Sequence, residues 1–227
     1  MANSARKLLI ESFGTDGEIV SWDASANFTA VGTGTSGQAL TSNGTTAAPS
    51  FQDIGARVLI SSASASSSAS ITFTSGIDST YDHYILHFTD VFPGTTNTYL
   101  WFRTSTDGGS TYDNGASDYI YGIRHFISNG SPTDSESTGD TKITISPQNS
   151  TSGGDNVYAG DIHLFNPSGT TNDTNILLEM GGSRGSSQGY VGTGRRNAAA
   201  DVDAVQFIMS SGNIASGDFY LYGIKKS

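Results

Sequence analysis

His83 and His87 stand four residues apart and are the first side chains whose types and spacing could do chemistry. On a helix that spacing sets two imidazoles on one face and suits zinc. The segment that holds them, His83-Tyr-Ile-Leu-His-Phe-Thr-Asp90, instead puts Tyr84, Leu86 and Phe88 on one side, which is strand patterning. Positions four apart in a strand lie roughly 13 Å from each other, too far to share one ion. Both histidines are read as structural. Asp107, Asp113 and Asp118 border a Gly-rich turn and carry the oxygen ligands calcium prefers. Their spacing fits no EF-hand loop, and Asp in turns commonly caps its own backbone. No metal ligand is assigned.

Catalytic patterns are equally sparse. The Gly-rich runs Gly32–Gly37 and Gly189–Gly194 lack the Gly-Lys-Ser/Thr ending of a phosphate loop and read as turns. No Gly-x-Ser-x-Gly elbow precedes a helix. Glutamates are few (Glu11, Glu18, Glu136, Glu179), and sequence alone pairs none of them for glycoside hydrolysis. No catalytic or cofactor-binding residue is assigned, and the chain is expected not to be an enzyme. What remains is recognition. Tyr112, Tyr119, Tyr121, Tyr190 and Trp101 carry rings able to stack on sugars, and Arg195-Arg196 is a basic doublet open to an acidic glycan. The competing reading is that these rings fill a β core or a subunit seam. Both readings stand at this stage.

Composition narrows the classes that could carry such a surface. The 227 residues contain no Cys, which removes disulfide frameworks and zinc fingers. Gly, Ser and Thr make up about two-fifths of the chain. There is no run of 18 apolar residues for a transmembrane helix, so no membrane insertion is expected. Met1-Ala-Asn-Ser-Ala-Arg-Lys-Leu-Leu-Ile10 has only a short apolar stretch after its basic pair, which argues against a secretory leader. The net charge of −10, with no Lys or Arg between Arg57 and Arg103, argues against nucleic acid.

Three zones position these residues. Residues 1–57 are Gly/Thr/Ser-rich with isolated apolar positions, among them Trp22, Phe28, Leu40 and Phe51, and no stretch there closes a core alone. A weak helical turn is conceivable at 5–12. Residues 58–70 are a Ser/Ala run, either a linker or an edge strand. Residues 71–227 hold nine alternating segments with no long helix between them: 71–74, 83–90, 98–105, 119–127, 141–146, 157–165, 175–180, 204–210 and 217–224. Asp107-Gly108-Gly109 reads as a tight hairpin turn. The expected fold is all-β: an extended N-terminal arm, then an antiparallel β-sandwich, jelly-roll-like.

Two segments carry a resemblance. Gly34-Thr-Ser-Gly-Gln-Ala-Leu-Thr-Ser-Asn-Gly-Thr-Thr-Ala-Ala-Pro-Ser-Phe51 resembles a segment recurring in tail-fibre and other appendage proteins of tailed bacteriophages. Leu100-Trp-Phe-Arg-Thr-Ser-Thr-Asp-Gly-Gly-Ser-Thr-Tyr112 is similar to a hairpin of virion surface β-domains from the same phages, and Phe219–Ile224 to their closing strand. The resemblance implies a virion protein assembled in the host cytoplasm, commonly a homotrimer. It would join other virion proteins through residues 1–57. Its Trp22, Phe28, Leu40 and Phe51 would be covered on assembly, and Tyr112, Tyr119, Tyr190, Arg195 and Arg196 would be offered to a host-surface polysaccharide. A short tail fibre and a capsid decoration protein both fit; a glycan-degrading tailspike-type enzyme fits less well.

Overall fold

The computed structural model describes residues 19–22, 28–35, 38–45, 47–53, 57–146, 157–183 and 186–225. The helical turn read at 5–12 lies outside them. The chain divides into two units, Met1–Gly55 and Ala56–Ser227.

The first unit contains two hairpins where an extended arm was expected. β1 (Ile19–Trp22) pairs antiparallel with β2 (Phe28–Val31), setting Trp22 opposite Phe28. β3 (Gln38–Thr41) pairs with β4 (Ser50–Asp53), setting Leu40 opposite Phe51. Residues within 34–52 account for the second hairpin. Gln38 Oε1 accepts from the Thr35 amide at 3.0 Å. The Asn43 carboxamide donates to Ala48 O at 2.7 Å and accepts from Gln52 at 3.0 Å, so one side chain ties the loop shut. Gly44 has a φ of 95°, and a side chain at Gly34 would strike the Phe51 ring. Leu40 remains 42% exposed.

The second unit is an antiparallel β-sandwich. Twelve strands are present among its described residues: β5 (Arg57–Ser68), β6 (Ser70–Phe73), β7 (His83–Pro93), β8 (Leu100–Ser105), β9 (Tyr119–Ile127), β10 (Thr133–Asp140), β11 (Ile143–Thr144), β12 (Tyr158–Phe165), β13 (Asn175–Ser183), β14 (Ser187–Arg196), β15 (Ala204–Met209) and β16 (Ile214–Ile224). Eight form one sheet in the order β10-β9-β14-β13-β12-β7-β16-β5, and four form the other, β11-β8-β15-β6. The sheets are thus unequal. Alternation along each strand sends one set of side chains between them. Phe88 and Phe219 come from the large sheet, Phe102 and Phe207 from the small one, and all are at most 1% exposed. Phe207 packs 5.8 Å from Phe88, 4.9 Å from Phe219 and 5.5 Å from Phe102. Each such ring contributes roughly 1.5–3 kcal/mol on burial, so a chain with few apolar residues closes its core with large ones.

Two sequence readings change, and one open alternative closes on the edge strand. Residues 187–196, read as a turn around Gly189–Gly194, form β14, an interior strand between β13 and β9. Glycine there reflects close strand approach: a Cβ at Gly192 would collide with the Gly122 carbonyl and sit 2.6 Å from Ile123 Cα. The Ser/Ala run is β5, paired along β16 at the edge of the large sheet, and it buries Ala65 while Ile60 and Ala63 pack on the core. The sandwich therefore begins at Arg57. Gly108 and Gly109 do have positive φ (70° and 80°), but the turn makes no hairpin. β8 pairs with β11 and β15, while β9 belongs to the other sheet, so the loop after β8 carries the chain across the sandwich.

Gly217 sits at an irregularity in β16. Its φ is 141°, the register against β7 shifts there, and a Cβ would lie 2.9 Å from Val91 Cα. Gly217→Ala is expected to lower stability by about 2 kcal/mol, read from the urea midpoint; an unchanged midpoint contradicts this account of the bulge.

Candidate functional site

The small sheet covers one face of the large sheet. The other face is built from the opposite alternation of the same strands, and cross-strand partners share it in rows. One row runs Asp134, Arg124, Val191, Glu179, Asp161, His87, Tyr220. The next row towards the β12–β13 loop is Gly122, Thr193, Leu177, His163, Ile85, Tyr222, and the last is Ile120, Arg195, Asn175, Phe165, His83. Phe126 (47% exposed), Val191 (39%) and Phe165 (38%) are large apolar side chains left open on this face. Shallow depressions follow its small residues. One of about 440 Å³ lies over Gly181 and Gly189 beside Phe126 and Glu179. Two others, of about 500 and 510 Å³, share Phe165, Asn175 and Arg195.

His residues organise the centre of the face. His83 Nε2 and His163 Nδ1 are 2.8 Å apart with rings stacked at 5.1 Å, and Phe165 stacks on His83 at 4.7 Å. A single hydrogen bond between two imidazoles requires an acceptor nitrogen, hence one neutral ring. Burial, then His163, then Arg57 hold the His83 pKa below its ordinary 6.5. His87 Nδ1 meets Asp161 Oδ1 at 2.7 Å. Ile85 is only 2% exposed although it points outward, because aromatic and imidazole side chains flank it. His83 and His87 thus bind different partners, as strand geometry requires.

The residues singled out for glycan contact do not come together. Tyr119 is fully buried between the sheets, where its hydroxyl accepts from the Thr104 amide at 2.7 Å and burial pushes its pKa up to about 12. Tyr190 is 5% exposed, stacks on His125 at 4.4 Å and donates to Gln188 at 2.6 Å. Both face inward because period two places them on the core side of β9 and β14. Tyr112 is half-buried with its hydroxyl out of solvent. Arg196 is not on the surface either. It pairs with Asp113 through two nitrogens, at 2.7 and 3.2 Å, with side chains 12% and 17% exposed. Thr104 Oγ1 also donates to Asp113, so the pair ties β14 to the loop after β8. Arg195, one residue on, points the other way; it is 45% exposed and pairs with Asp173 at 3.1 Å. Trp101 stands on the outer side of the small sheet between Arg103 and Lys142.

Each aspartate of the Gly-rich turn serves its own surroundings. The Asp107 carboxylate accepts from the Thr111 amide and from the Thr111 and Ser105 hydroxyls, which hold its pKa down to about 2. Asp118 accepts from the Gly115 amide at 2.6 Å. Among the described residues no group of three or more His, Asp or Glu is placed to hold a metal ion. Among the described residues no helix is long and apolar enough to cross a membrane. Of the assembly residues, Trp22 and Phe28 lie in the first hairpin, and Leu40 and Phe51 in the second.

Sequence reasoning missed Phe165, His163, Asp173 and Asn175. The alternation Asp161, His163, Phe165 was the available signal, since it gives the non-core face of β12 an unusual load of rings. No family model, curated protein or solved structure matches this chain.

Two predictions follow from this geometry. Arg196→Met strands a mostly buried carboxylate and is expected to cost about 3 kcal/mol, whereas Arg195→Met on the surface changes stability by less than about 0.5 kcal/mol. Urea midpoints of the two variants check this, and equal losses contradict it. The depressed His83 pKa means that the unfolded chain binds more protons just below pH 6.5. Stability therefore falls as pH drops from 6.5 towards the folded-state pKa. The drop in melting temperature from pH 7.5 to 5 is expected to shrink in His83→Gln; an undiminished drop contradicts the assignment.

Proposed function

We propose that the chain is a non-enzymatic virion protein of a tailed phage, a short homotrimeric tail fibre whose β-domain contacts the host surface. The observation that carries this reading is the uncovered face of the large sheet, eight strands wide, with Phe126, Phe165 and Val191 exposed beside grooves several hundred Å³ in volume. Exposed apolar side chains rimmed by polar ones mark interaction surfaces. The phage-like segment supports the same reading from the other unit, because Gly34, Gln38, Asn43, Gly44 and Phe51 all serve one hairpin. Leu40 on that hairpin stays exposed in a single copy, and cyclic association covers such a surface once per subunit. Host contact through three copies also tolerates weak individual sites, since linkage raises effective concentration.

Particles lacking the protein decide the matter. The fibre reading expects reduced adsorption to host cells with unchanged survival on heating. Normal adsorption with heat-fragile heads replaces it by capsid decoration, and no change in either refutes both.

A further inference from the structure

The two depressions that share Phe165, Asn175 and Arg195 form one trough at the end of the uncovered face where β12 turns into β13. Its sides differ in chemistry. One is apolar, with Ile120 and Leu177 over a floor that includes Gly122 and Gly194. The other is polar and comes from the loop 166–174, which supplies Thr171, Asn172 and Asp173. Cross-strand pairing places Ile120, Arg195, Asn175 and Phe165 in one row over four adjacent strands, roughly 14 Å long at about 4.8 Å per strand.

The trough is held ready. The Phe165 ring is fixed by its stack on His83 yet stays 38% exposed. The loop is pinned at three points: Asn166 N to Asp82 O at 2.6 Å, Val202 N to Pro167 O at 2.9 Å, and Arg196 N to Thr174 O at 3.1 Å. Asn166 itself has a φ of 50°, a left-handed turn conformation that asparagine adopts readily. Arg195 Nη1 donates to Asp173 Oδ2 at 3.1 Å, which orders both side chains.

That inventory selects a ligand class. Carboxamides donate and accept, the carboxylate accepts, and the guanidinium donates; sugar hydroxyls need both roles within a few ångströms. An apolar ring beside them matches the C–H face of a pyranose. The single cation of the polar side is already neutralised by Asp173, and the chain carries −10 overall, so polyanions are disfavoured. We propose that this trough binds a neutral glycan chain, Phe165 covering one sugar face while Asp173, Asn175 and Arg195 hold its hydroxyls. The proposal rests on the host-contacting reading and replaces the acidic-glycan expectation for Arg195 and Arg196.

The test is electrophoresis of the full chain in native gels containing dextran, yeast mannan or glycogen, with alginate and hyaluronan as acidic polymers. Retardation by at least one neutral polymer is expected. Phe165→Ala and Asn175→Ala should weaken it about tenfold, equivalent to roughly 1.4 kcal/mol. Phe126→Ala, on the same face outside the trough, should leave it intact. Asn175 is exposed, so its variant keeps the core, and urea midpoints confirm folding of each. No retardation by any neutral polymer, retardation by acidic polymers alone, or retention untouched by the trough variants overturns the proposal. A particle that needs the protein for adsorption while the chain ignores every neutral polymer refutes the trough and leaves the virion reading standing. Retardation by mannan of a protein without effect on any particle does the reverse.

Discussion

Everything in the larger unit depends on the aromatic layer between two sheets of unequal width. A chain in which only 35% of residues are hydrophobic cannot cover both faces of eight strands. It commits its large side chains to one interface, centred on Phe207 against Phe88, Phe102 and Phe219. Packing density there sets the register of β7, β15 and β16, and register decides which side chains face out. The open face is therefore a consequence of the core, not a separate design. His83, Asp161, His163, Phe165 and Arg195 stand on it because Tyr84, Ile162, Leu164 and Gly194 stand on the other side.

The same constraint explains how two adjacent arginines take opposite roles. Arg196 falls on the inward side of β14 at the rim of the sandwich, where a buried guanidinium is tolerable only with a partner. Asp113, delivered by the loop that crosses from β8 to β9, supplies it. Arg195 falls outward and pairs at the surface. A two-residue periodicity turns a basic doublet into one structural and one superficial charge.

Strand identity was legible wherever apolar residues alternated, as in 83–90, 119–127 and 157–165. In β5 it was legible only as one of two alternatives, and it was illegible in β10 and β14, where Ser, Thr, Gly and acidic residues give no hydrophobic period and where neighbouring strands decide the conformation. Glycine was the main source of error. In β14 it permits close packing against β9, yet in sequence it looks like a turn. The Asp107–Gly109 turn was visible, but which sheet receives the next strand is a tertiary property that no local motif carries. The candidate site was legible only in Arg195. Its other members sit on three strands and one loop, and cross-strand pairing alone brings them together.

The central claim is that the outer face of the large sheet stays open to solvent in the working assembly. Hydroxyl-radical footprinting of Phe126, Phe165 and Tyr220 measures this directly, in the purified chain and in the intact particle that carries it. The account predicts labelling of all three at comparable rates in both states. Protection of these rings in the particle, down to the level of the buried Phe207, would show that another subunit covers the face and would contradict it.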